Sequence, residues 1–170
     1  MAEGDDVLAS ELTTVAAEAA ERLIARKETV AVAEGSFGGL VSAALLAVPG
    51  ASAYYVGGTV IYTLAASRAL IAGAVPVPAN LRGATEPFAR YLAESICIRL
   101  ETTWGIGEGG AAGPSGNRYG DPSGHAWFAV HGPAPATRHL LTGDDDRARN
   151  MEAFATAALR LFVDQLDAAT

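Results

Sequence analysis

The alternation of short apolar runs with longer amphipathic segments is the feature that most constrains the fold of this chain. Residues 29–33 form an apolar, partly β-branched run that passes through a glycine-rich turn into the apolar segment 40–48. Residues 7–26 carry apolar side chains at helical spacing, behind a predicted cap at Asp5-Asp6. Strands that alternate with helices predict an α/β fold, a three-layer α/β/α domain around a central sheet.

The middle of the chain continues this alternation. Residues 54–62 are β-rich, with a bulge or close backbone approach predicted at Gly57-Gly58, and residues 63–71 favour a helix. Pro87 suits the first turn of a helix that extends to about residue 100, and residues 104–107 predict a short strand.

The last third contains a glycine-rich stretch between two predicted strands. Residues 108–124 hold many glycines and two prolines, which predicts a long functional loop before the β-like run 126–130. Residues 138–142 are the last predicted strand. Asp144, Asp145 and Asp146 then form the predicted cap of a C-terminal helix.

Composition narrows the class of protein. A chain of 170 residues is the size of one domain, here residues 1–170, and it has no apolar run of 18 residues that indicates a membrane span. The acidic first residues are unlike a secretory signal, so we expect a cytoplasmic location. The absence of such an apolar run predicts that a membrane is not a partner, and the formal net charge of −7, without a run of Lys or Arg, predicts the same for nucleic acid.

Metal and disulfide chemistry is not predicted. Cys97 is the lone cysteine and lies in an apolar segment, where a buried structural thiol is expected. His125, His131 and His139 match no metal-ligand spacing, so we expect no metal and no cofactor. By residue type these histidines are general-base candidates, although a surface or capping role is commoner.

The turn after the first strand, residues 34–39, is open to two interpretations. It is either a tight strand-to-helix connection or a site where free backbone N–H groups bind an anion. It lacks the G-x-G-x-x-G pattern of dinucleotide sites and the G-K-[ST] ending of phosphate loops.

Several ordered motifs resemble the CinA C-terminal domain, the family of nicotinamide-nucleotide amidases. From Ala33 the chain reads A-E-G-S-F-G-G-L, then Pro49-Gly50, Gly57-Gly58 and Tyr62-Thr63. The family typically reads A-E-S-C-T-G-G-L, V-P-G, G-G and Y-S-N-E-A-K in that order. Residues 85–87, 110–114 and 122–129 are similar to its S-E-P, G-I-A-G-P and P-V-G-T-V-W-F-A. The resemblance covers about residues 8 to 168 and implies a mixed central sheet and a homo-oligomer.

The resemblance implies a reaction whose two main groups are replaced here. Family members hydrolyse the carboxamide of nicotinamide mononucleotide to an acid and ammonia, with the serine of A-E-S as nucleophile and the lysine of N-E-A-K as its activator. This chain has Gly35 and Ser67 at those catalytic positions. A serine hydroxyl needs a neighbouring base, so losing both groups removes that covalent route. Ser36 is a possible relocated nucleophile, although no lysine lies nearby in sequence.

The resemblance also implies a set of substrate-binding positions for a small-molecule nucleotide or analogue. They are Glu34, Phe37, Gly38, Gly39, Tyr62, Thr85, Glu86, Gly110, Ala111, Ala112 and Gly113. The glycine-dense residues 109–116 suit a phosphate, and Arg118 adds positive charge there.

Three functional hypotheses follow. The chain is an amide hydrolase with lost or altered catalysis, a non-catalytic pyridine-nucleotide-binding pseudoenzyme, or an interaction subunit. If the catalytic pair alone is missing, Gly35→Ser with Ser67→Lys is expected to restore some amidase activity. The bulk of Phe37, predicted to lie beside the pocket, complicates that restoration.

Overall fold

The computed structural model describes residues 10–169 of the chain. Strands and helices alternate through the first two thirds of the sequence, except that two helices follow one another between residues 64 and 99. The helices are α1 (Glu11–Arg26), α2 (Leu40–Ala47), α3 (Leu64–Leu70), α4 (Glu86–Arg99) and α5 (Arg147–Ala168). The strands are β1 (Val30–Glu34), β2 (Tyr55–Val60), β3 (Trp104–Ala111), β4 (His125–His131) and β5 (Ala136–Leu141).

The five strands form one mixed sheet in the order β2-β1-β3-β4-β5. Strand β1 is parallel to both β2 and β3, whereas β3, β4 and β5 are joined as antiparallel neighbours. The carboxyl ends of the three parallel strands therefore meet at one edge of the sheet, which is where open α/β sheets bind ligands.

Alternate side chains of the central strands point into two separate cores. Val32 and Ile106 belong to the larger core, which is shared with α1, α2 and α5, and Trp104 packs edge-on against Phe162 there with ring centroids 5.7 Å apart. Ala31 and residues of α4 form the second core on the opposite face. Helices cover both faces, so the three-layer prediction is confirmed.

Strand β3 is longer than the sequence predicted, because residues 108–111 continue it instead of starting a loop. Its glycines let α4 lie directly on the strand. A Cβ atom at Gly105 or Gly107 would lie 2.1 Å or 2.3 Å from the carbonyl oxygens of Ala93 and Ala89. Gly105 and Gly107 therefore reflect close helix-to-strand packing. The loop prediction was wrong for residues 108–111, which belong to the strand.

The predicted cap of the C-terminal helix is confirmed, whereas the predicted cap near the start of the chain is not tested. Helix α5 begins behind Asp146, whose side chain accepts a hydrogen bond from the Arg149 backbone N–H, as predicted. Helix α1 begins behind Ser10, which accepts from the Thr13 N–H. The predicted cap at Asp5-Asp6 lies outside the described residues. Within residues 10–169, no helix is long and apolar enough to cross a bilayer.

Candidate functional site

A cleft of about 690 Å³ opens at the edge where β1, β2 and β3 end. Gly35 follows β1, Tyr62 follows β2, and Gly110 lies at the end of β3. The structure brings these three residues together with Ser36 and Ser67 around the same cleft. Gly35 and Ser67, which stand where the resemblance implies the catalytic serine and lysine, thus line one cavity.

The outer rim of the cleft carries aromatic rings and positive charge. Arg118 and Tyr119 line it, with the Arg118 guanidinium carbon 5.0 Å from the Tyr119 ring centroid. Arg147 donates hydrogen bonds to the Gly113 carbonyl oxygen at 2.8 Å and to the Tyr62 hydroxyl at 3.3 Å. The sequence pointed to Arg118 but not to Tyr119 or Arg147, since neither lies in a recognisable motif.

Glu108 lies behind the turn that follows β1, and its carboxylate is fully buried. Its Oε2 accepts hydrogen bonds from the backbone N–H groups of Gly35 at 3.0 Å and Phe37 at 3.3 Å. Its Oε1 accepts a hydrogen bond from the Ser36 hydroxyl. The Glu108 carboxylate therefore accepts from the backbone N–H groups that the sequence suggested as a possible site for an anionic ligand.

Burial raises the pKa of Glu108 to about 7, because the ionised form loses its hydration. The hydrogen bonds from Ser36 and from the backbone of Phe37 and Gly35 favour the ionised form and partly offset that shift. Glu108 is therefore divided between its neutral and charged forms near neutral pH. Glu108 was not predicted as a site residue, because an acidic residue among glycines is typical of a loop.

Glu34, predicted to bind substrate, instead caps helix α2. Its carboxylate accepts from the backbone N–H groups of Gly39 at 2.6 Å and Ser42 at 2.7 Å, and also from the Ser42 hydroxyl. Burial raises the pKa of Glu34 as well, against these hydrogen bonds. The side chain serves the helix N-terminus and does not line the cleft.

No side chain fits at Gly35 as the turn is now packed. A Cβ atom there would lie 2.7 Å from the Glu108 carbonyl oxygen and 3.4 Å from its Oε2. The nearer of these is a backbone atom, so relief requires a shift of β3 itself. The restoration of activity by Gly35→Ser with Ser67→Lys stays a prediction, and this crowding argues against it, because Glu108 occupies the surroundings of the added side chain.

Most of the other predicted substrate-binding residues lie away from the cleft. Phe37 is fully buried in the larger core, so its bulk does not narrow the cavity as predicted. Gly39 is the N-cap residue of α2, and Ala112 is buried. The remaining positions outside the cleft lining are Gly38, Thr85, Glu86, Ala111 and Gly113. Of these, Gly113 touches the rim through Arg147.

His125 also lies behind the cleft wall instead of lining it. Its Nε2 is 2.8 Å from the carbonyl oxygen of Ala84, and its Nδ1 is 2.9 Å from His139 Nε2. Both ring nitrogens are thus engaged within the fold. In residues 10–169, no group of three or more His, Cys, Asp and Glu side chains is placed to hold a metal ion.

Comparison with known proteins yields one consistent family. The model of the CinA C-terminal domain matches residues 12–166. CinA-like proteins from Anaeromyxobacter sp. strain Fw109-5 and strain K are 38% and 42% identical, over 93% and 82% of this chain. These matches occupy 39% and 35% of the relatives' own lengths. The chain therefore spans well under half of the curated proteins that it matches.

A solved structure supports the architecture. A competence-damaged protein (CinA) superfamily protein from Klebsiella pneumoniae has a TM-score of 0.84 to this chain, at 24% identity. The match covers 92% of this chain and 98% of that one. At this identity the likeness concerns the fold.

Proposed function

The chain belongs to the CinA C-terminal domain family, and from that premise we propose that it is a pyridine-nucleotide-binding member without the family's amide hydrolysis. The observation that carries this proposal is the closed position at Gly35, where a Cβ atom would lie 2.7 Å from the Glu108 carbonyl oxygen. The nucleophile is therefore absent, and the space that its side chain would need is taken.

The activating base is missing too. Ser67 lines the cleft at the position that the resemblance gives to a lysine. A serine hydroxyl does not accept a proton at neutral pH, so it cannot activate a nucleophile as an amine does. Both halves of the covalent route are lost together, which supports a binding function over amide hydrolysis.

The rim of the cleft supports a phosphorylated ligand with a flat ring. Arg118 and Arg147 are exposed guanidinium groups at the cleft of a chain with net charge −7, and guanidinium binds phosphate through paired hydrogen bonds. Tyr62 is 68% exposed and Tyr119 is 43% exposed, so each offers a face on which a pyridinium ring can stack. Nicotinamide mononucleotide combines these two chemical groups.

Calorimetric titration with nicotinamide mononucleotide tests this proposal. We expect saturable binding that the double change Arg118→Ala with Arg147→Ala weakens about 10- to 100-fold, since hydrogen bonds to charged groups contribute about 1.5–3 kcal/mol. Nicotinamide riboside, which lacks the phosphate, should bind the wild-type protein and the double variant with similar affinity.

Arg138→Ala is the matched control, because Arg138 lies on β5 and pairs with Asp164. The Arg138→Ala variant should bind the mononucleotide with the affinity of the wild type. No heat of binding to wild-type protein, or equal affinity in the double variant, would contradict the proposal.

A further inference from the structure

We propose that Ser36 is a nucleophile toward small carboxylic esters and that Glu108 is its general base. The proposal goes beyond the binding function, because it assigns the cleft a chemistry at a residue other than the family's nucleophile position. It rests on the geometry of the turn and on the position of Ser36 in the lining of the cleft.

The turn presents a nucleophile, a base and a group that orients the base. The Ser36 hydroxyl donates to Glu108 Oε1, and the other carboxylate oxygen is held by the N–H groups of Gly35 and Phe37. One oxygen thus fixes the carboxylate while the other faces the hydroxyl. A nucleophile beside a base that a third group orients is the arrangement that activates serine.

The pKa of Glu108 also suits the role of a general base. Burial raises the pKa of Glu108 to about 7, with the Ser36 hydroxyl and the backbone donors acting against that rise. A general base works best when its pKa lies near the working pH. Glu34, the other buried carboxyl among residues 10–169, accepts from the N-terminus of α2 and is held there.

Ser36 reaches the cleft whereas its base does not. Ser36 is 8% exposed and lines the cavity, opposite Gly110. A Cβ atom at Gly110 would lie 2.7 Å from the Ser36 Oγ, so a residue without a side chain is needed beside the hydroxyl. The base is fully buried, whereas the serine lines the cavity.

A second serine–carboxylate pair in the same chain gives a built-in comparison. The Ser42 hydroxyl donates to Glu34 Oε1, next to the N-terminus of α2. Neither of these two residues lines the cleft. This pair has similar hydrogen bonding without access to the cavity, which makes Ser42 the matched control for Ser36.

The reaction balances with water as its second reactant. Ser36 Oγ forms a bond to the ester carbonyl carbon, and its proton passes to Glu108 Oε1. The carbon–oxygen bond to the alcohol breaks, the alcohol leaves with that proton, and an acyl-serine remains. Water then attacks the acyl-serine, gives its proton to Glu108, and releases the acid as Ser36 regains its hydrogen.

Esters fit this pair better than amides do. An amine leaving group must be protonated as its bond breaks, whereas an alcohol with a low pKa leaves with far less help. Glu108 is the group that the Ser36 hydroxyl contacts and that can carry its proton, and position 67 holds a serine instead of a lysine. The inferred chemistry is therefore compatible with the absence of amide hydrolysis.

The experiment combines labelling with turnover. An alkyl fluorophosphonate should label the wild-type protein once, and fragmentation of the labelled peptide should place the adduct on Ser36. Hydrolysis of p-nitrophenyl acetate by the wild type should exceed that by Ser36→Ala. Glu108→Gln should lower that excess rate by about 100-fold or more, in line with the contribution of a positioned base.

Ser42→Ala should label and turn over like the wild type. The wild-type rate should rise with pH through about 7, as Glu108 ionises. An adduct on another residue, or a Ser36→Ala rate equal to wild type, would overturn the proposal. If Glu108→Gln fails to fold, a wild-type rate that is independent of pH between 6 and 8 would overturn it instead. Neither the labelling nor the ester assay measures ammonia release or nucleotide binding. Failure of this proposal can therefore be distinguished from failure of the proposed binding function.

Discussion

Replacing Gly35 with serine is expected to lower the free energy of unfolding by about 1–3 kcal/mol, the range typical of overpacked sites. The new Cβ atom would meet the Glu108 carbonyl oxygen at 2.7 Å, which is closer than the two atoms can approach. Because that oxygen belongs to the central strand β3, the strain cannot be relieved by rotating a side chain. The paired variant Gly35→Ser with Ser67→Lys should show the same loss and release no ammonia.

We compare urea unfolding of Gly35→Ser with urea unfolding of the control variant Gly83→Ser. The comparison distinguishes this clash from a general effect of adding a serine side chain. Gly83 also lines the cleft, but a Cβ atom there meets nothing within 4 Å. We expect Gly83→Ser to unfold within about 0.5 kcal/mol of the wild type, as surface changes usually do. Equal stability of the two variants would show that the turn has room for a nucleophile.

Replacing Glu108 with glutamine should remove a pH-dependent contribution of about 3 kcal/mol to the free energy of unfolding. The pKa of Glu108 is raised from 4.5 to about 7 in the folded chain, and one pKa unit corresponds to about 1.36 kcal/mol. Between these values the folded state keeps a proton that the unfolded state has lost. The contribution of Glu108 to the free energy of unfolding is therefore fully present below pH 4.5, falls as pH rises, and is lost above about pH 7.

The measurement is the difference in unfolding free energy between Glu108→Gln and wild type at pH 4.5 and at pH 8. Glutamine is nearly isosteric and does not ionise, so the variant should gain about 3 kcal/mol relative to wild type between the two pH values. Glu34 ionises in both proteins, so its contribution cancels. A difference that stays constant with pH would show that Glu108 ionises in the folded chain much as it does in water.

The fold was predictable because local patterns and topology agree. Short apolar runs gave β1 and β4, helical spacing gave α1 and α5, and the turn after β1 was placed correctly. The extent of β3 was not predictable from composition, because its glycines are explained by the approach of α4 from elsewhere in the chain. Close packing between two elements that are distant in sequence cannot be recognised from the sequence of either element alone.

The candidate site was predictable in part. The ordered motifs matched Gly35 and Ser67 to the catalytic positions and Tyr62 to a substrate-binding position, and all three line one cleft. The role of Glu108 depends on a contact between residues 72 positions apart, Ser36 and Glu108, which no motif contains. Phe37 was misplaced for a related reason, because a turn residue can point into the core or into the cavity.

Ammonia release from nicotinamide mononucleotide, measured at a concentration that saturates binding, distinguishes a nucleotide-binding protein from an amidase. We expect the wild-type protein to bind the nucleotide and to release ammonia no faster than a sample without protein. Sustained ammonia release that depends on the protein would contradict this expectation, since the chain would then hydrolyse the amide without a residue at Gly35 able to attack it.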